Sequence, residues 1–269
     1  MKGLEFFDSY VRLGRGLEVL FGGLEANQQR MDGRNTTAAL ALEEMDGLGV
    51  GQAMVQHVLS YQYNAAFGNR LLMEEIAGEK RLHPVWMVYP TATGECGGAA
   101  DVAEELCRHH VQGVLLYAGN YRFRGGGAFS ADEWNLGDLL SMLEELSMPV
   151  FTRPGADLSW SGVHDLLKAH PRLPLVLREV DLASDRNLYA LAAAYPNFYV
   201  GTENYKGLFA LEAFAKRFGS ERLLYGSGYP IQSMGGSMTA LLVSDLAWTD
   251  RENIAGRNME RLLGGIRHD

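Results

Sequence analysis

The chain has 269 residues, 47% of them hydrophobic and 21% charged, which is enough apolar material for a sizeable core and too much for a disordered chain. Its formal net charge of −9 lacks the basic footprint of a protein that tracks a phosphate backbone or an anionic lipid surface. Nucleic acid and membrane are therefore excluded as expected partners, and a small ligand is left, with self-association into a homo-oligomer open.

At about 150 residues per domain the length suits two small domains or one α/β barrel. No apolar run reaches the roughly 18 residues of a membrane helix. The first ten residues carry Lys2, Glu5 and Asp8 where a secretion signal would be apolar, so a cytoplasmic location is expected. Cys96 and Cys107 have no C-x-x-C spacing and read as free thiols.

Short apolar runs alternate along the chain with segments of helical period. The first strand is read at Leu4 to Asp8, followed by a helix over Thr37 to Met45 and a second strand at Gln52 to Val58. A helix over Ala65 to Ala77, a strand at Pro84 to Tyr89 and a helix over Ala99 to His109 come next. The fourth strand is Gly113 to Tyr117, before a helix at Asn135 to Leu146, and the fifth is Pro149 to Arg153, before a helix at Val163 to His170. The sixth strand at Leu175 to Glu179 precedes a helix at Arg186 to Ala194, and the seventh at Phe198 to Gly201 precedes one at Leu208 to Phe218. Arg222 to Tyr225 is the eighth strand, with helices at Ser237 to Ala247 and Arg251 to Leu263 closing the chain.

Runs such as GVLLYA, LPLVL and NFYV are apolar without alternation, as expected of parallel strands covered on both faces. Eight strand–helix units predict a (β/α)8 TIM barrel, and the absence of a linker or a fixed-period repeat predicts one domain over residues 1–269. The open doubly wound sheet is the alternative, but no G-x-G-x-x-G follows the first strand. Two long non-periodic stretches, Gly14 to Asn35 and Gly119 to Trp134, follow strands one and four, on the face where such barrels carry their sites. The second contains YRFRGGG at 121–127, and reads either as a lid that brings Arg122 to a ligand or as a plain surface excursion.

Several ordered phrases resemble the amidohydrolase-related TIM-barrel family, the metal-dependent hydrolase, lactonase and decarboxylase group. They are FFDSYVR at 6–12, ALEEMDGLGVGQAMVQ at 41–56, MPVFTRPG at 148–155, AHPRLPLVLRE at 169–179, AYPNFYV at 194–200, GSERLLYGSGYP at 219–230 and NIAGRNMERLLG at 253–264. The resemblance covers nearly the whole chain and implies a metal site at the strand ends. The chain departs from that pattern residue by residue. Tyr10 and Arg12 stand where the family's first-strand histidines fall, Arg153 at the fifth-strand histidine, Glu179 at the sixth-strand histidine, and Gly228 at the eighth-strand aspartate.

Zinc takes three or four ligands from His, Cys, Asp and Glu, and only Glu179 of these positions qualifies. Two guanidiniums there would repel a dication, so neither a metal nor another cofactor is expected. If Tyr10, Arg12, Arg153 and Glu179 converge, a net positive charge remains, and the arginine forks suit a carboxylate or phosphate. The alternative is that Arg12 or Arg153 pairs with Glu179, or Arg12 with Asp8, and fills the space. For chemistry the candidates are Glu179 and Glu203, two carboxylates whose environments could set different proton affinities, and His57 at the end of the second strand. Tyr117 and Arg122 complete the ligand-binding set. The expected function is metal-independent hydrolysis of a small anionic lactone or ester, and the alternative is an inactive relative that binds an anionic small molecule through an arginine-lined pocket.

Overall fold

The computed structural model describes residues 3–15, 36–118 and 129–268. Eight parallel strands run in sequence order around one sheet. They are β1 (Phe6–Leu13), β2 (Val50–His57), β3 (Leu82–Met87), β4 (Gly113–Leu115), β5 (Val150–Thr152), β6 (Leu175–Leu177), β7 (Phe198–Gly201) and β8 (Leu223–Leu224). The ring closes through a parallel bridge between Val11 and Tyr229, supported by Ser9 N–H donating to Tyr225 O (2.9 Å), Arg12 N–H to Tyr229 O (2.9 Å) and Gly228 N–H to Tyr10 O (3.0 Å).

The helices are α1 (Ala38–Leu48), α2 (Leu59–Gln62), α3 (Ala65–Glu75), α4 (Ala99–Arg108), α5 (Glu133–Glu145), α6 (Trp160–Ala169), α7 (Asp185–Ala194), α8 (Ala210–Phe218), α9 (Met234–Leu242), α10 (Trp248–Glu252) and α11 (Asn258–Leu263). Their starts follow local chemistry. Thr37, Asn64 and Ser159 cap α1, α3 and α6 by accepting from Leu40, Phe67 and Gly162 N–H, each satisfying a donor that the first turn leaves open.

Successive side chains on a strand face opposite ways, and this sorts the core into two clusters. Val11, Val55, Val114, Val150, Leu175, Leu177 and Val200 pack outward against the helices. Phe7, Met54, Val85, Leu115, Phe151, Val176 and Leu224 fill the barrel. Two residues further along, on the same inward face, come Gln56, Tyr117, Arg153, Arg178 and Gly226. An apolar floor thus carries a polar layer at the strand C-terminal ends, and that layer is where the sequence places its chemistry.

The alternation predicted above is present, with element ends displaced for identifiable reasons. β1 runs to Leu13 rather than stopping at Asp8, because its polar residues continue as strand across a register shift between Asp8 and Val11. β6 stops at Leu177 because Glu179 adopts a φ of 55°, outside strand geometry. The last predicted helix is broken by a π-helical turn over Asn253–Arg257, where Gly256 lies so close to β1 that a Cβ would come within 2.7 Å of Glu5 O. The short helix α2 was not legible in the apolar pattern. The predicted lid, with Arg122, and most of the stretch after β1 lie outside the described residues. Among the described residues no helix is long and apolar enough to cross a membrane, and both cysteines are unpaired.

Two glycines make opposite predictions. A Cβ on Gly68 would lie 2.1 Å from the Ser60 backbone N, so Gly68→Ala is expected to lose about 1–3 kcal/mol in urea denaturation. Gly47, in α1 with nothing within 4 Å of its Cβ position, should gain about 0.5–1 kcal/mol as Gly47→Ala. Equal effects at the two positions would contradict the packing described.

Candidate functional site

The site is built on β1, β6, β7 and the turn after β8. Asp8 is fully buried and joins β1 to that turn: its Oδ1 accepts from Tyr10 N–H at 3.0 Å and from Ser227 N–H at 2.9 Å. Burial pushes its carboxyl up to about 6, against the opposing pull of the Ser227 and Tyr10 hydrogen bonds and of the Arg178 charge. Its second oxygen, Oδ2, has no hydrogen-bond partner. The pairing of Arg12 with Asp8, one of the alternatives, is not formed among the described residues; the Asp8 Oδ1 is taken by backbone donors.

Among the described residues, Arg178 is the largest fully buried side chain, 1% exposed. Its Nη1 donates to Gln56 Oε1 and its Nη2 to Ser9 O at 2.9 Å. The guanidinium carbon stands 4.0 Å from the Phe151 ring centre and 4.3 Å from that of Tyr10, within cation–π range on both sides. Its Nε is unpartnered. Gln56 in turn donates to Tyr117 OH at 3.4 Å.

Glu179 and Glu203 come together, though not as two equivalent side chains. The positive φ of Glu179 turns its backbone N–H onto Glu203 Oε1, while its own carboxylate leaves the barrel axis to accept from Tyr10 OH at 2.7 Å. Glu203 is fully buried. Burial raises its carboxyl to about 7, with the Glu179 N–H and the Arg178 charge opposing the rise. Its Oε2 has no partner and sits over two glycines: a Cβ on Gly201 would approach it to 2.3 Å and one on Gly226 to 2.7 Å, the latter also 2.8 Å from Ser9 Oγ. Ser9 Oγ is itself unpartnered.

The two arginines singled out in the sequence have different surroundings. Arg153 forms a two-pronged pair with Asp157, at 2.6 and 2.8 Å, lies 3.8 Å from Glu179 Oε2, and covers the Tyr117 ring at 4.6 Å. The space-filling alternative therefore describes Arg153 well. Arg12 lies beside the Tyr10 ring at 5.6 Å, and its buried Nε has no hydrogen-bond partner. Tyr61 stands edge-on to Tyr117 at 5.3 Å, so the wall between Arg12 and Arg153 is aromatic.

His57 does not join the two glutamates. Because Gln56 faces into the barrel, His57 faces the rim, where its Nδ1 accepts from Leu59 N–H at 3.2 Å and its ring lies against Gly14, whose Cβ would come within 2.4 Å of Nε2. Burial lowers its proton affinity to about 4, which keeps it neutral near pH 7. The residues that sequence reasoning left out of the site are Ser9, Gln56, Tyr61, Asp157 and above all Arg178. Its signal was present: in LPLVLRE it falls two residues after Val176, on the inward face of an otherwise apolar run.

Among the described residues no three His, Cys, Asp or Glu side chains are grouped so that they could hold a metal ion. Among the described residues the barrel mouth sets carboxyls beside guanidiniums, whose fixed positive charge disfavours a dication.

A family model described as Amidohydrolase matches residues 25–265. Among solved structures, an uncharacterized TIM-barrel protein from Bordetella bronchiseptica is 19% identical with a TM-score of 0.74, covering 97% of this chain and 99% of that one. A 2,6-dihydroxybenzoate decarboxylase from Rhizobium is 16% identical at a TM-score of 0.71, with 98% and 99% covered. A 5-carboxyvanillate decarboxylase from Novosphingobium aromaticivorans, solved with bound manganese, is 14% identical at a TM-score of 0.75, with 97% of each chain covered. At these identities the structures show a shared fold. No curated protein matches the sequence.

The buried acid has a consequence for stability. Between its ordinary value of 4.5 and about 7, the folded chain keeps a proton on Glu203 that the unfolded chain has released. Its contribution to stability therefore falls as pH rises through that window and is at its least favourable above pH 7. Glutamine cannot ionise, so Glu203→Gln should gain on the wild type by roughly 3 kcal/mol between pH 4 and pH 8, read from denaturation at each pH. A difference that is flat with pH would contradict the raised carboxyl.

Proposed function

The chain belongs to the amidohydrolase family, and on that footing we propose that it is a metal-independent hydrolase of a small anionic lactone or ester. The observation that supports this most directly is Glu203, a buried carboxyl raised to about 7 with one oxygen free of hydrogen bonds. A general base works best when its proton affinity lies near the working pH.

In the proposed reaction, Glu203 Oε2 takes a proton from water as the water oxygen bonds to the carbonyl carbon. Collapse of the tetrahedral intermediate breaks the bond to the leaving oxygen, which receives that proton back from Glu203. The products are a carboxylic acid and an alcohol, in one molecule when the substrate is a lactone. The Glu179 N–H fixes the other oxygen of Glu203 and so leaves Oε2 to the water. Arg12 is the seat for the substrate's anionic group, because its Nε is a buried donor without a partner. Tyr10, Tyr61 and Tyr117 form the wall along which the rest of the substrate lies, and Arg122 is assigned to the same group from outside the described residues. Arg153 is assigned to shaping that wall through Asp157, with its remaining charge toward the ligand. His57, neutral and turned to the rim, is given no step.

A second reading, anion binding without turnover, draws on the complete enclosure of Glu203, which would deny it to substrate unless the mouth rearranges. The same panel of compounds separates the two readings. It should contain carboxylate-bearing lactones and esters and, because structural neighbours are named as decarboxylases of aromatic acids, hydroxybenzoates as ligands. With a chelator present, turnover is expected whose kcat/KM rises with pH through about 7 and drops by about 100-fold or more in Glu203→Gln. Arg12→Met should raise KM with little effect on kcat. Calorimetric binding with no turnover would select the second reading, and neither binding nor turnover would overturn both.

A further inference from the structure

We infer that the Arg178 guanidinium is the built-in cation of the barrel mouth, supplying from the chain itself the positive charge that the enclosed carboxyls of Asp8 and Glu203 require. This rests on the metal-independent part of the reading above and not on hydrolysis.

A guanidinium is always charged, and burying it is costly unless an opposite charge or a full set of acceptors surrounds it. Arg178 has neither at close range. Its direct partners are a side-chain amide, Gln56, and a backbone carbonyl, Ser9; two aromatic faces cover it, and one N–H is unsatisfied. No carboxylate among the described residues forms a salt bridge with it. The neighbouring acids are Asp8 and Glu203, both fully buried and each with one oxygen unpartnered, and the Arg178 charge favours the ionised form of each against burial.

These groups form one cluster through Ser9. The Ser9 carbonyl accepts from Arg178 at 2.9 Å, and its hydroxyl shares the space above Gly226 with Glu203 Oε2. Asp8 is the adjacent residue and is tied to Ser227, next to Gly226. Of the other cations described near the mouth, Arg153 is committed to Asp157, Arg12 lies against Tyr10 and Tyr61, and Lys206, which feels the Glu203 charge, donates to Gln232. Here a side chain from β6 carries the charge, and a second cation at the same place would be repelled. Because the cation is covalently part of the chain, a chelator should not remove it.

The inference separates charge from shape. Arg178→Gly should leave a space of guanidinium size next to the two acids and lower Tm by roughly 10 °C. Guanidinium chloride at about 20 mM, far below denaturing concentrations, should recover at least half of that loss in a saturable manner. Urea, planar and of nearly the same shape but neutral, should not, and Arg178→Gly/Glu203→Gln should keep more Tm than the two single effects sum to and respond less to guanidinium. Equal rescue by urea and guanidinium, or no rescue of the folded variant, would overturn the inference while leaving the proposed hydrolysis intact. If Arg178→Gly does not fold, the cycle of Arg178→Met with Glu203→Gln decides: a gain in Tm from Glu203→Gln that is larger in the Arg178→Met background than in the wild type supports the inference, and equal gains in the two backgrounds overturn it. Stoichiometric divalent metal in the wild type would instead overturn the metal-independent reading, and this inference with it.

Discussion

The barrel mouth depends on one constraint: a permanently charged guanidinium, Arg178, is enclosed at the top of an apolar barrel together with two carboxyls. Everything nearby accommodates it. The Phe151 and Tyr10 rings lie against it, Gln56 and the Ser9 carbonyl take two of its donors, and glycines at 201 and 226 leave room for the Glu203 carboxyl. Breaking a buried charge set by removing one member typically costs about 3–5 kcal/mol, a sizeable share of the 5–15 kcal/mol by which a domain is stable. A site of this kind is retained at a cost to stability, which is the usual situation where polar groups are held ready for a ligand or a reaction.

Among the described residues, Arg178, Arg153 and Arg12 divide the work of the mouth by environment rather than by residue type. Arg178 is sealed and serves the acids. Arg153 pairs with Asp157 and covers the Tyr117 ring. Arg12, with a buried donor left open, is the one placed to receive an anion. The strained backbone at Glu179 belongs to the same arrangement, since a left-handed turn at a non-glycine residue is tolerated where surrounding contacts fix it, and here it delivers an N–H to Glu203.

Most of the fold could be read from the sequence. Apolar runs without alternation gave eight parallel strands, and β7 falls at Phe198–Gly201, the range its composition indicates. Element ends were less legible where tertiary contacts decide them: the continuation of β1 through Asp8 to Leu13 depends on backbone pairing with the turn after β8, which no local pattern encodes. At the site, Tyr10, Arg12, Arg153, Glu179 and Glu203 were singled out from position and chemistry, and they do gather at the strand ends. What the sequence hid was the direction of side chains. Glu179 and Arg178 are neighbours at the end of one strand, and only the inward register of Val176 tells which of them enters the barrel. His57 is a base only if it faces inward, and it sits one residue from the inward-facing Gln56, with its Nδ1 accepting from Leu59 N–H.

The account stands on an acid held near neutrality beside a fixed cation. The most direct measurement is a carboxyl titration by NMR of glutamate labelled with 13C at the side-chain carbonyl, comparing wild type with Glu203→Gln. The account predicts one resonance titrating near 7 that is absent from the variant. A wild-type spectrum in which every glutamate titrates in the ordinary carboxylate range of about 4–5 would contradict it.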